Sequence, residues 1–235
     1  MTHWITYSEP SANRLMALLQ QLGQSAICES VTRIEPLRPE DPFPEKKPDL
    51  IIALSQHAVE VYLDHYFKPS HERVSALAIG KATAAKLIEH GALEVSTPRV
   101  ANSEGLLAMP QVQALRPSAR VWLLTGKGGH DLVVNTLAGR CDLQRFSLYV
   151  REKRRVNLPV GFEPKAIWVG SIHGLQQVDE ATELLKIHRQ RTMLVAASER
   201  VAIYARERDW TKVLICEASD AEAVKDACAR IDHDQ

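Results

Sequence analysis

This chain repeats itself. The segment DLIIALSQHAVEVYL (49–63) returns as KAIWVGSIHGLQQV (165–178): each is an apolar run of strand length, a serine, then a helical pattern. VSALAIGKATAAKLIEHGALEVSTPRVANSEGLL (74–107) is echoed by TMLVAASERVAIYARERDWTKVLICEASDAEAVKDA (192–227), and WITYSEPSANRLMALLQQLG (4–23) by VWLLTGKGGHDLVVNTLAG (121–139). Ser55 then matches Ser171, Gly80 matches Ser198 and Ser103 matches Ser219, at nearly equal spacings. Three registers that agree imply two copies of one α/β unit.

Within each copy, strand, polar turn and amphipathic helix alternate. Leu15, Leu18, Leu19 and Leu22 share one helix face, and Gly23 stands where a helix stops. Val59, Tyr62, Leu63 and Tyr66 repeat that spacing, as do Val224, Ala227, Cys228 and Ile231. The expected strands, at 50–54, 74–79, 121–124, 166–169 and 193–197, are continuously apolar rather than alternating. Such runs suit parallel strands covered by helices on both faces. The expected fold is α/β, with two similar lobes, each a parallel sheet flanked by helices, joined by a two-strand hinge. Proline-rich stretches at 36–48 and 159–164, and extended segments at 27–34 and 143–155, set the division. Residues 1–34 plus 153–235 are read as one discontinuous lobe and 35–152 as an inserted second lobe. Periodicity also leaves open a simple split into N-terminal and C-terminal halves.

Charge narrows the partners. Lysine plus arginine and aspartate plus glutamate number 29 each, so no global field favours nucleic acid or an acidic membrane. No apolar run approaches the ~18 residues of a membrane-spanning helix, and MTHWITYSEP does not read as a secretory signal. A cytoplasmic protein is expected. Cys28, Cys141, Cys216 and Cys228 form no CxxC pair and read as reduced, mostly core residues. The nine histidines show no metal-ligand spacing, so no metal is expected. With no surface pattern for an oligomer, a monomer is the default.

In an open parallel α/β sheet, ligands bind beyond the carboxyl ends of the strands. There the chain places Ser8, Ser55-Gln56, Gly80-Lys81, Gly126-Lys127-Gly128, Ser171 and Ser198-Glu199-Arg200, while Ser103-Glu104 and Ser219-Asp220 open further helices. Helix starts carry unpaired N–H groups and the positive end of the macrodipole, and so attract carboxylate or phosphate. Facing lobes would aim about eight such ends into one cleft, letting a neutral protein hold a polyanion. Taken singly, each serine is no more than a helix cap worth ~1 kcal/mol, and Gly80 and Gly128 no more than turn residues. Tyr149 in FSLYVRE reads as half-buried packing, and Arg151, Arg154 and Arg155 as a solvated face at the hinge. The array carries the argument. No GxSxG elbow, GxGxxG fingerprint or nucleotide P-loop spacing is present, so a cofactor-free reaction driven by holding a substrate in shape is expected.

Over nearly its whole length the chain resembles the uroporphyrinogen-III synthase family. The resemblance rests on SQHAV (55–59), AIGKATA (78–84), NSEGLL (102–107), LLTGKGGHDL (123–132), LYVR (148–151), GSIHGL (170–175), ASERVA (197–202) and EASDAEAV (217–224). It departs where the family's TRP stands as Thr6-Tyr7-Ser8, its TS as Leu54-Ser55 and its RG as Thr125-Gly126. The resemblance implies a lyase that cyclises hydroxymethylbilane, an open tetrapyrrole with eight carboxylates. Loss of the terminal hydroxyl as water gives an azafulvene cation, and the far pyrrole attacks it through its substituted carbon. The spiro intermediate fragments and recloses with that pyrrole turned over. The resemblance further implies that backbone N–H groups hold the side-chain carboxylates and that Thr83 lies in the cleft. On the same ground Tyr149 assists departure of the hydroxyl, and Ser55 and Ser171 belong to cleft turns on opposite lobes. Hydroxymethylbilane synthase, which supplies the substrate, is the one protein partner implied, as a transient contact. Competing readings are a two-lobed small-molecule sensor without catalysis and a sugar-nucleotide transferase, for which the chain is short.

Overall fold

The computed structural model describes residues 2–71, 73–89, 91, 94–129 and 131–234. In chain order it runs β1 (Thr2–Ile5), α1 (Ser11–Gln21), β2 (Ala26–Cys28), β3 (Thr32–Pro36), β4 (Leu50–Ala53), α2 (Gln56–His65), β5 (Ser75–Ala78), α3 (Lys81–Glu89) and β6 (Val95–Ser96). It continues through α4 (Ser103–Leu107), α5 (Pro110–Gln113), β7 (Arg120–Gly126), α6 (Leu132–Leu137), β8 (Asp142–Lys153) and β9 (Pro164–Val169). The last elements are α7 (Ile172–Leu185), β10 (Met193–Ala196), α8 (Glu199–Arg206), β11 (Val213–Ile215) and α9 (Ala221–His233). The chain forms two compact units, Met1–Arg33 with Glu152–Gln235, and Ile34–Arg151.

The first unit is built on a five-stranded sheet in the order β11-β10-β9-β1-β2, all neighbours parallel. The unalternating strands have the cause expected of them, because both faces are covered. Trp4, Ile167, Val169, Leu194 and Ala196 pack under the apolar sides of α7 and α8. Ile5, Ala166, Trp168, Met193 and Val195 pack on the other side with Leu15 and Leu19 of α1 and Val224, Ala227, Cys228 and Ile231 of α9. Helix α1 closes as its glycine foretells: Gly23 has φ +71°, its N–H bonds the Gln20 carbonyl, and the Gln24 N–H bonds that of Leu19.

The second unit carries a six-stranded sheet in the order β3-β8-β7-β4-β5-β6. Its successive pairs from β8 to β6 are parallel. Leu50, Ile52, Leu77, Val121 and Leu123 face one core with α4–α6, while Ile51, Ala53, Ala78, Trp122 and Leu124 face the other with α2 and α3. The chain leaves the first unit in β3 and returns in β8. Here one sheet departs from the all-parallel expectation. The Leu37 N–H bonds the Leu148 carbonyl and the Arg154 N–H bonds that of Val31, so residue numbers rise on β3 as they fall on β8, an antiparallel pairing. One of these neighbours carries the chain out and the other carries it back, so the two run in opposite senses.

Candidate substrate-binding and active site

In the second unit, the ends of β4 and β7 converge on one phenol carried by β8. Strand β4 ends at Ala53, and Ser55 caps α2 in an extended conformation, its Oγ accepting the His57 N–H at 3.2 Å. Tyr149, on β8, donates its hydroxyl to the same Ser55 Oγ at 3.0 Å. Its ring lies on Gly126 at the end of β7, where any Cβ would fall 2.6 Å from Cζ. The His57 ring meets the phenol edge-on at 5.5 Å, and the Arg151 guanidinium stands 5.0 Å from its centroid. The Lys127 N–H bonds the Tyr149 carbonyl at 2.8 Å, tying the end of β7 to β8. Tyr149 is 2% exposed, whereas Ser55 retains partial access. The expected residues Ser55, Gly126, Lys127 and Tyr149 thus form one constellation, and Gln56 opens the helix behind it.

The remaining expected positions of this unit behave differently. Gly80 precedes α3, and a Cβ there would make ordinary contact with Ala101 at 3.5 Å, so crowding does not demand glycine. Lys81 is the exposed first residue of α3. Thr83 is buried on the same helix face as Ala84 and Leu87 and makes no hydrogen bond to Tyr149 or Ser55. Ser103 lies one residue inside α4, whose cap is Asn102: its Oδ1 accepts the Gly105 N–H at 2.7 Å. An asparagine side chain reaches the same N–H from one position earlier, so the serine is displaced from the role. Gly128, at φ +75°, turns the chain after β7, but α6 begins only at Leu132, after Asp131 has paired with Arg145 at 2.6 Å.

The first unit repeats the architecture with different occupants. Ser171 caps α7, accepting the Gly174 N–H at 3.1 Å, and Ser198 caps α8, accepting the Val201 N–H at 3.5 Å. Glu199 opens that helix and pairs with Arg206 at 3.4 Å, and Arg200 is exposed. Asp220, not Ser219, caps α9, its Oδ1 accepting the Glu222 and Ala223 N–H groups. Ser8 caps nothing. Its hydroxyl joins Thr32 and Ser30 instead, and Pro10 holds the cap position of α1 with no side-chain cap bond.

Sequence reasoning missed Tyr7, whose hydroxyl is buried. Tyr7 lies over Gly170, where a Cβ would fall 2.3 Å from Cε1, as Tyr149 lies over Gly126. Its hydroxyl is buried without a hydrogen-bond partner among the described residues, and burial, with a lesser push from Cys216, raises its pKa well above the usual phenol range. A glycine at the end of β7 and another just past the end of β9 were the available signal. His57 was visible only as part of SQHAV, and Arg151 only within LYVR and a basic run read as a solvated face. The cysteines are free, and burial pushes Cys216 and Cys228 up to about 11, which keeps both as inert thiols at neutral pH. Among the described residues, no helix is long and apolar enough to cross a membrane.

Residues 13–225 match the family model for uroporphyrinogen-III synthase HemD. The uroporphyrinogen-III synthase of Escherichia coli K12 is 26% identical over 244 aligned positions, covering 95% of this chain and 98% of that one. That of Salmonella typhimurium LT2 is 28% identical over 249, with the same coverage. Among solved structures, the uroporphyrinogen-III synthetase of Helicobacter pylori superposes with a TM-score of 0.65 at 14% identity, covering 98% of each chain. A mutant uroporphyrinogen III synthase of Thermus thermophilus gives 0.60 at 18% identity, covering 100% of each chain. These two likenesses speak to the fold, and the match over most of the length speaks to descent: this chain belongs to the uroporphyrinogen-III synthase family.

Proposed function

We propose that the chain closes hydroxymethylbilane to uroporphyrinogen III, turning over the terminal pyrrole and releasing one water. The observation that carries the catalytic part is the hydrogen-bonded Tyr149–Ser55 pair at the start of α2. Departure of the terminal hydroxyl needs a donor to its oxygen as the C–O bond breaks, while the pyrrole nitrogen supplies the electrons. The far pyrrole then attacks the azafulvene through its substituted carbon, the spiro centre fragments, and reclosure loses the proton that restores aromaticity. The sum is substrate to product plus water, with no change of oxidation level. Carboxylates are held by helix starts: those of α2 and α3 in one unit, and of α7 and α8 in the other. Ser55, Gln56, Gly80, Lys81, Ser103, Gly126, Lys127, Gly128, Ser171, Ser198, Glu199 and Arg200 remain the positions proposed to face substrate, with Thr83 supporting them from the buried face of α3.

The test adds hydroxymethylbilane and resolves the type I and type III products. Type III above the protein-free control is expected, and type I alone rejects the reading. Tyr149→Phe is expected to lower kcat by about tenfold, the worth of one hydrogen bond tightened in the transition state. The same reading makes the enzyme cytoplasmic and monomeric, meeting hydroxymethylbilane synthase only transiently. Sizing on a column at micromolar concentration tests the monomer.

A further inference from the structure

We infer that Ser55 presents the proton to the departing hydroxyl, and that Tyr149 is a positioning residue acting through it. The inference rests on the reading of the reaction given above. A serine hydroxyl has two lone pairs and one hydrogen. Both lone pairs of Ser55 are engaged, one by the His57 N–H at 3.2 Å and one by the Tyr149 O–H at 3.0 Å. Only the Ser55 hydrogen is left to point outward. The Tyr149 proton, by contrast, is turned inward, and its ring is held on Gly126 with the edge of His57 against it. The phenol is almost fully buried while the serine is partly accessible.

The arrangement also favours the chemistry. Hydrogen bonds in series polarise one another, so a serine that accepts twice donates more strongly. Charge left on the serine oxygen as its proton moves lies at the start of α2, where the His57 N–H that it already accepts and the positive end of the macrodipole favour it. Full transfer carries the Ser55 proton to the leaving oxygen and the Tyr149 proton to Ser55. The C–O bond breaks with its electron pair, and the proton shed by the reclosed macrocycle restores both hydroxyls. In the other repeat the pair is absent among the described residues: Ser171 accepts its own helix's Gly174 N–H, and the Tyr7 hydroxyl has no partner there. Two copies of one unit that share the cap but not the phenol-to-serine bond mark the second unit as the reactive one.

A double-mutant cycle decides the matter. Ser55→Gly removes the hydroxyl while sparing most of the cap, since glycine is a tolerated cap residue. We expect Ser55→Gly to lower kcat by about 30-fold and Tyr149→Phe by about tenfold, with KM within about threefold in each. The double variant should be no slower than Ser55→Gly alone, and Ser55→Thr, which restores the hydroxyl, should return to within about threefold of the parent. Multiplying effects in the double variant would show that the phenol reaches substrate independently, and would overturn the inference. So would a Ser55→Gly enzyme as fast as the parent beside an impaired Tyr149→Phe. A Tyr149→Phe enzyme with unchanged kcat would instead remove the role of Tyr149 itself. Thermal melts of all four proteins separate loss of fold from loss of turnover, and the Ser55→Thr result stands even where Ser55→Gly fails to fold.

Discussion

Gly126 shows how much a missing side chain can do. Nothing about its backbone angle demands glycine; the demand comes from Tyr149, whose ring occupies the space of a Cβ. Gly126→Ala should push the ring off the strand end and part the phenol from Ser55. Overpacking of this kind costs about 1–3 kcal/mol. We expect a lowered melting temperature, an altered near-ultraviolet tyrosine spectrum, and a fall in type III product at least as large as that of Tyr149→Phe. An alanine variant with parental activity and spectrum would mean that the ring has another resting place. In the sequence, Gly126 was legible as a strand-end glycine of a GKGG run. Its partner 23 residues away was not, because a cross-strand contact leaves no local trace.

At the scale of elements, the helix starts do most of the specifying. Ser55, Ser171 and Ser198 are all caps with φ near −160°, each accepting an N–H of its own first turn. Ser171→Ala removes the acceptor that serves the Gly174 N–H, and should destabilise the first unit by about 1 kcal/mol. Ser171→Asp should recover most of the loss, since aspartate caps equally well and its charge suits the helix start. Denaturant titration followed by circular dichroism checks both, and a Ser171→Ala variant as stable as its parent would deny the cap any energetic role. Helix existence was readable from the leucine and valine spacings of α1, α2 and α9. The caps of α4 and α9 fall one residue from the expected serines. Asn102-Ser103 and Ser219-Asp220 each offer two competent cap residues side by side, and only the path of the backbone selects between them.

Across the whole molecule, each unit holds a buried histidine whose pKa burial lowers, His3 in the first and His71 in the second. In the first unit the His3 Nδ1 accepts the Trp168 indole N–H at 3.1 Å and its other nitrogen faces the Gln24 amide oxygen at 3.2 Å. In the second, the His71 Nδ1 meets the Tyr62 hydroxyl at 2.7 Å and its ring stands against Trp122. Burial is the leading cause that lowers both pKa values beneath the ordinary 6.5; Lys165 adds to the effect on His3, and Lys68 and Lys47 to that on His71. A histidine that resists protonation only when folded contributes stability that is whole above 6.5 and is lost as pH falls toward the lowered folded value. The denaturation midpoint should therefore drop between about pH 7.5 and about pH 5.5, before ordinary carboxylates titrate. Asp179, raised chiefly by burial, works in the opposite direction, its folded form gaining stability as pH falls. A flat midpoint across that interval would show that both rings accept protons without penalty.

The amino-acid order alone carried the duplication, the parallel strands, the helix faces and the strand ends where a ligand would meet the protein. Each of these is periodic or local, written in spacings of two to four residues or in a repeat of whole segments. The pairing of Tyr149 with Ser55 across 94 residues, the phenol of Tyr7 on Gly170 and the antiparallel run of β3 against β8 belong to the folded chain. Strand order decides which distant residues become neighbours, and that order is set by how two apolar sheet faces are best covered, a property of the packed unit that no stretch of its sequence contains.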